Sequence, residues 1–332
     1  MTTENLSLQK KAGSCGVRNI VLTNDDGIYA PGLAAMGRAL CRLGNVYVVA
    51  PSREQSGVSH SVTFLTPLMV RNVFIGDEHW GWAVDGSPAD CVKFAIAEIL
   101  PDLPDLVVSG INGGLNAGTN VLYSGTVAAA VEAAFYGVTS FAVSLEHSKN
   151  ESFRRAADIA ADVIENVLQQ IEDTQNNNAD NIDNPITIYR TSGGLYNLNI
   201  PVSALSKLKP EVQLTELDMV PDWDSFESRV DPMGRPYYWL SSQSDPRQSL
   251  KRQPEYLTDI VALKQGFVTL SPLSFNLTDK IKLQKMESWQ TSNWDLSAKK
   301  NTNNIDSKIR PNAPSIKTTL DIKNFKNQND GK

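Results

Sequence analysis

The sequence predicts an α/β protein: a mostly parallel sheet with helices on both faces, and a smaller β-rich lobe toward the C-terminus. Three observations predict it. Short, nearly continuous apolar runs, IVLT (20–23), VYVVA (46–50), DLVVS (105–109) and SFAVSL (140–145), alternate with segments of helical apolar spacing, as in a sheet buried on both sides. From Ile186 the pattern changes to strands, turns and prolines, with ITIYR, YNLNIP, YYWL and GFVTLSPL as apolar islands. With 332 residues, 41% of them hydrophobic, the chain is long enough to bury the core of one large domain, or one and a half.

The elements follow in order. Pro31 and Gly32 open LAAMGRALCRLG, whose apolar spacing predicts an amphipathic helix closed by Gly44, completing a βαβ unit with the first two runs. Ser87-Pro88-Ala89-Asp90 reads as an N-cap, a first-turn proline and an acidic first turn leading into CVKFAIAEIL. Thr126 opens the alanine-rich helix VAAAVEAAFYG, which stops at Gly137. A further helix, about Ser152 to Ile171, ends in the aperiodic DTQNNNADNIDN. The resulting division is a flexible N-terminus (1–17), a main α/β lobe (18–172), a polar insertion (173–185), a segment that completes the fold and supplies the β-rich lobe (186–287), and a tail (288–332). The tail is expected to be disordered, because its isolated apolar residues cannot offset the entropy of ordering it.

Charge and composition narrow the partners. A formal net charge of −6 and a pI of about 5.2 leave no electrostatic footprint for duplex nucleic acid. The N-terminal MTTENLSLQKKAGSCG has no signal-peptide core, and no segment reaches the ~18 apolar residues of a membrane span, so a cytoplasmic protein without membrane contact is expected. Cys15, Cys41 and Cys91 lie far apart and form no CxxC or Cys/His cluster, which predicts reduced thiols. With only His60, His79 and His147 available, metal and phosphate chemistry falls to carboxylates, amides and hydroxyls. There is no GxxxxGK[ST] and no GxSxG, and NDDG stands where a dinucleotide fold carries GxGxxG.

Ligands of a parallel α/β sheet bind beyond the carboxyl ends of the strands. The loops there are polar: Asn24-Asp25-Asp26-Gly27 after the first run, Ser52 to Gly57 after the second, Gly110 to Gly118 after the third. Two adjacent carboxylates at the end of a buried strand repel each other, a cost that a bound cation removes. Asp25, Asp26, Ser56 and Asn112 offer the oxygen donors that a hard cation such as Mg²⁺ prefers. The alternative, that Asp25 and Asp26 merely turn the chain with Gly27, stays open at this point. Tyr123-Ser124-Gly125-Thr126 precedes the alanine-rich helix, and the N–H groups of a helix start form an anion site without any lysine. Simple N-capping by Thr126 is the competing reading. His60 is a candidate proton donor to a leaving alcohol, although its polar loop favours a structural or solvent-exposed role.

Taken together, IVLTNDDGIYAPG, VVAPSREQSGVSHSVT, DGSPADCV and DLVVSGINGGLNAGTNVLYSGTVAAAVEAAFYGV resemble the SurE family of survival-protein nucleotidases, in order and spacing, over residues 18–146. Weaker echoes continue through NLNIP (197–201), YYWL (237–240), Thr258-Asp259 and GFVTLSPL (266–273). The resemblance implies a Rossmann-like lobe and a β-hairpin lobe used in homodimers or homotetramers. It implies a metal-dependent phosphatase, a 5′-nucleotidase acting on nucleoside 5′- and 3′-monophosphates, with one divalent cation, Mg²⁺ or Mn²⁺. Its metal ligands would be Asp25, Asp26, Ser56 and Asn112, its phosphate-binding residues Asn116, Ser124, Gly125 and Thr126. Asp25 and Asp26 are the catalytic candidates, as ligand, base or nucleophile; the residue types do not choose among these. Ser59 stands where glycine is common in the family, Ser87 where threonine is, and Phe267 where tyrosine is. A nucleotide-binding regulator with little turnover and a polyphosphate hydrolase are the alternative readings.

Overall fold

The computed structural model describes residues 17–148, 152–177, 194–220, 223–243 and 255–289. The expected strand ITIYR, the insertion beyond Asn177, the N-terminus up to Gly16 and the tail from Gln290 lie outside them.

The chain divides into two units, Met1–Asn276 and Leu277–Lys332. In the first, β1 (Arg18–Thr23), β2 (Gly44–Pro51), β5 (Leu106–Gly113), β6 (Thr139–Leu145) and β7 (Leu195–Ile200) form the parallel centre of a nine-stranded sheet. The hairpin of β3 (Val70–Ile75) and β4 (Glu78–Val84) extends it on one side, β4 running parallel to β2. On the other side β11 (Val268–Leu273) runs antiparallel to β7 and pairs with β8 (Val212–Leu214). The order is β3-β4-β2-β1-β5-β6-β7-β11-β8.

Side chains alternate across this sheet, which is why its central strands read as unbroken apolar runs. Ile20 and Leu22 of β1 pack with Leu33, Met36 and Leu40 of α1 (Pro31–Leu40) and with Ile159, Ile164 and Leu168 of α4 (Phe153–Asn177). Val21, one residue out of phase, packs on the opposite face with Cys91 and Val92 of α2 (Pro88–Phe94) and Ala129 and Ala133 of α3 (Gly125–Phe135). Each fully buried Leu or Ile contributes about 1.5–3 kcal/mol. Helices therefore cover both faces, in the Rossmann-like manner that the resemblance implied.

Several expectations need correction. The first helix ends at Leu40 rather than running to Gly44, because Gly44 begins β2 so close to β1 that a Cβ there would lie 2.1 Å from the Arg18 carbonyl oxygen. The helix expected to stop near Ile171 continues to Asn177, into the expected insertion; i,i+4 hydrogen bonds from Gln169 to Asp173 and from the Thr174 hydroxyl to the Gln170 carbonyl hold its last turns. GFVTLSPL and YNLNIP belong to the main sheet, as β11 and β7, rather than to the β-rich lobe. What stands apart is a two-stranded hairpin, β9 (Trp223–Val230) with β10 (Pro236–Gln243). Its turn is tied by Asp231, which accepts from the Met233 and Arg235 N–H groups and the Arg235 guanidinium. The β3–β4 hairpin was not anticipated: only Val73 of β3 is buried, so no apolar run marks it. In the second unit the described residues include α6 (Lys280–Glu287), where turns were expected; the Asp279 side chain caps it by accepting from the Lys282 N–H.

Candidate active site

The turn after β1 is closed by Asn24. Its Oδ1 accepts from the Gly27 N–H at 3.1 Å and its Nδ2 donates to the Gly27 carbonyl at 3.0 Å, while Gly27 adopts φ +102°. The turn thus uses the neighbouring amide, and both aspartates keep their carboxylates for contacts elsewhere.

Asp25 reaches across the sheet end to α3. Its Oδ1 accepts from the Thr126 hydroxyl at 2.6 Å and its Oδ2 from the Thr126 N–H at 3.1 Å. The side chain is almost wholly buried, and burial pushes its carboxyl above the ordinary range despite these two donors. Approach this close requires glycine at residue 125: a Cβ there would lie 2.9 Å from Asp25 Cβ. The helix begins one residue before the expected Thr126. Ser124 is its N-cap, accepting from the Val127 N–H at 3.1 Å. Thr126 accordingly donates to Asp25, and among the described residues the Gly125 N–H has no protein acceptor.

The other loops converge on the same end of the sheet. The Gln55 N–H donates to the Asp25 carbonyl at 2.7 Å, which brings the loop after β2 against the turn after β1. The Gly113 N–H, at the end of β5, makes a long contact of 3.4 Å to Asp26 Oδ2. Asn112 donates its Nδ2 to the Gly114 carbonyl at 2.7 Å, so Oδ1 is the atom it can offer a cation. Ser56 is exposed, its hydroxyl donating to Glu54 at 2.6 Å. Among the described residues no three His, Cys, Asp or Glu side chains gather as metal ligands, so a cation at this place would take hydroxyl and amide oxygens beside the two carboxylates.

Asn116 is not on the surface of this site. It is buried, and its Nδ2 donates to the Ser144 hydroxyl at 2.8 Å. Its backbone is gripped by β7: the Asn116 N–H donates to Asn199 Oδ1 at 2.9 Å, and its carbonyl accepts from Asn197 and Asn199. Two residues on, the Gly118 N–H donates to the wholly buried Asp259, at the start of α5 (Asp259–Lys264), at 2.8 Å. Sequence reasoning quoted NLNIP and Thr258-Asp259 as echoes but gave Ser144, Asn197, Asn199 and Asp259 no role. The one available signal was the pair of asparagines alternating along a strand, which places both amides on one face.

His60 lies against α3. Its Nε2 pairs with Glu132 Oε2 at 2.7 Å, and Lys93 Nζ donates to Glu132 Oε1 at 3.0 Å. Burial alone would raise the Glu132 carboxyl, but the hydrogen bonds and charges of His60 and Lys93 hold it below its ordinary range. Ser59 takes the left-handed conformation, φ +54°, that suits the glycine common in the resembling family. Its hydroxyl partly offsets that strain by donating to the Leu122 carbonyl at 2.8 Å. Ser87 is the expected N-cap of α2 and forms a capping box with Asp90, and Cys91 sits in the core. Asp85 pairs with Arg71 at the surface.

The model of the family described as Survival protein SurE matches residues 20–220. The chain belongs to the SurE family. Its relatives include the 5′-nucleotidase SurE of Rhodopirellula baltica, 49% identical over 272 residues, 81% of this chain and 98% of that protein. The 5′-nucleotidase SurE of Desulforudis audaxviator is 41% identical over 273 residues, covering 81% and 96%. Among solved structures, the SurE protein of Aquifex aeolicus matches with a TM-score of 0.64 at 33% identity, over 81% of this chain and 98% of that one. The SurE match thus extends past residue 146, where the well-marked resemblance stops, to include β7 and its asparagines.

Proposed function

We propose that this SurE-family chain is a metal-dependent phosphomonoesterase that hydrolyses nucleoside 5′- and 3′-monophosphates to nucleoside and phosphate. The observation that carries the reading is the Asp25 carboxylate, buried at the end of β1 and held there by Thr126, with Asp26 beside it facing the β5 loop. Such a pair destabilises the fold unless it serves a cation. The donor set is all oxygen, which fits a hard divalent ion. We assign Asp25, Asp26, Ser56 and Asn112 as ligands of one Mg²⁺ or Mn²⁺. When bound, that ion would neutralise phosphate oxygens and make a water more acidic.

The chain's own residues supply the rest. Thr126 fixes the Asp25 carboxylate, leaving Asp25 or Asp26 to take a proton or attack. Gly125 presents its N–H, at the positive end of α3, to a phosphate oxygen. Ser124 shapes that start as N-cap. Asn116, buried and bonded to Ser144, supports the neighbouring loop from beneath. The activity named for the relatives, 5′-nucleotidase, supports the same substrate class.

The test is phosphate release. Purified protein with Mn²⁺ should release inorganic phosphate from AMP or GMP faster than from ATP, and EDTA should abolish the release. Full turnover in EDTA would refute the metal assignment, and preference for ATP the monophosphate one. Nucleotide binding without metal-dependent release would establish the regulator instead.

We also assign the β9–β10 hairpin as the homo-oligomer surface, in a dimer or tetramer. Phe226, Tyr238, Trp239 and Leu240 are all more than half exposed on it. A monomer by light scattering at micromolar concentration would overturn that. No described helix is long and apolar enough to cross a membrane, and we place the protein in the cytoplasm.

A further inference from the structure

We propose that His60 and Glu132 form a clamp that positions segment 56–63 against the start of α3, and that substrate binding depends on it. The inference rests on the phosphatase reading above, but its observations are separate. Glu132 is 3% exposed on an otherwise alanine-rich helix, where a small apolar residue would pack without the cost of burying a charge. Both of its oxygens are individually matched, Oε1 by Lys93 of α2 and Oε2 by His60. Lys93 alone would balance the charge. His60 is therefore the partner whose role is unexplained by neutralisation.

What His60 adds is a fixed place for the loop. Its ring also stacks on Phe135, one turn beyond Glu132 on the same helix face, with centroids 5.3 Å apart. On one side of it Ser59 donates its N–H to the Tyr123 carbonyl at 3.0 Å and its hydroxyl to the Leu122 carbonyl. On the other, the Ser61 carbonyl accepts from Ser87 at 2.6 Å, and Thr63 donates its N–H and hydroxyl to Asp90. A segment without helix or strand is thus fastened at residues 59, 60, 61 and 63 to three parts of the fold. It begins at Ser56, an assigned ligand, and lands on Tyr123, which directly precedes the N-cap Ser124. The charged and titratable groups facing the clamp are Glu132, Lys93 and Tyr136, whose hydroxyl lies 3.5 Å from Lys93 Nζ.

His60 is a positioning residue in this account, since Nε2 is taken by Glu132 and the ring by Phe135. The strap lies beside the phosphate-holding loop rather than at the bond that breaks, so its loosening weakens binding in ground and transition states alike. We would compare His60→Ala, His60→Gln and Glu132→Gln with the parent, using Mn²⁺ with AMP and with p-nitrophenyl phosphate, whose leaving group departs without a proton. His60→Ala and Glu132→Gln should raise KM about tenfold for both substrates, with kcat little changed. His60→Gln, which restores a donor near the position of Nε2, should recover most of the loss. The double variant His60→Ala/Glu132→Gln should be no worse than either single one. Amide hydrogen exchange at Ser59 and Thr63 should quicken about tenfold in the His60→Ala and Glu132→Gln proteins, whether or not phosphate is released. A loss in kcat confined to AMP would make His60 a proton donor and overturn the proposal. So would unchanged exchange, or effects that multiply in the double variant. Absence of phosphate release from the parent would refute the phosphatase reading, and with it the dependence of substrate binding on the clamp; the exchange rates would then report on the clamp alone.

Discussion

Replacing Asp25 with asparagine should make the protein more stable and nearly inactive at once. In the folded state burial raises the Asp25 carboxyl above its ordinary value of 3.8, although Thr126 donates to both oxygens. A raised carboxyl means that the folded protein holds the proton more tightly than the unfolded chain does. The associated stability is fully present below the unfolded value and is lost as pH rises through the folded one. At neutral pH the ionised group therefore works against the fold. Asparagine removes the charge with little change of shape. Its Oδ1 can accept from the Thr126 N–H, and the Thr126 hydroxyl can rotate to accept from the new Nδ2, so neither contact is orphaned. With both hydrogen bonds kept in neutral form and the desolvated charge gone, the gain is on the order of 1 kcal/mol, or about 2–4 °C in Tm for a domain of this size. Thermal melts in EDTA at pH 7.5 would show it, and the gain should shrink toward pH 4, where the parent is increasingly protonated. Saturating Mn²⁺ reverses the order, since a cation at 100 times its Kd adds about 2.7 kcal/mol to the parent and far less to the variant. Meanwhile kcat should fall ~10²-fold or more. A variant that melts below the parent in EDTA would make Asp25 a structural cap for α3, and a normal kcat would remove it from the chemistry.

Two further substitutions probe the supports of the site. Gly125→Ala brings a Cβ to within 2.9 Å of Asp25 Cβ and 3.1 Å of its Oδ2, so Asp25 must move; kcat should drop at least about tenfold while circular dichroism stays that of the parent. Asn199→Ala removes an acceptor for the Asn116 N–H and a donor to its carbonyl in a buried place, which should cost about 2–3 kcal/mol in urea unfolding and lower kcat/KM as the 112–118 loop shifts; unchanged values would show the network to be idle.

The sheet was legible because a strand buried on both faces must be apolar throughout: Ile20 to Leu22 and Leu106 to Val108 touch α1 and α4 on one side and α2 and α3 on the other. The same logic hid β3, where five of six side chains are at least partly exposed. The twin aspartates were legible as chemistry because adjacent carboxylates need a reason. Their supports were not. Glu132, at the eighth residue of an alanine-rich helix, reads as a solvated charge until folding places Lys93 and His60 beside it from 39 and 72 residues away. The donation from Thr126 to Asp25 spans 101 residues, which no local spacing records.

The asparagines of β7 and the carboxylate of Asp259 also set when the protein can begin to work. Every residue assigned here to metal or phosphate has been synthesised once Thr126 is made, yet the segment from Asn116 to Gly118 hangs from Asn197, Asn199 and Asp259. At ordinary elongation rates, on the order of ten seconds separate the synthesis of Thr126 from that of Asp259. During that interval the nascent chain carries its reactive carboxylates without the scaffold that aligns them. Competence thus arrives late and all together, when β7, α5 and β11 close the sheet, and a chain cut short after β6 would keep every candidate ligand and still lack an aligned site.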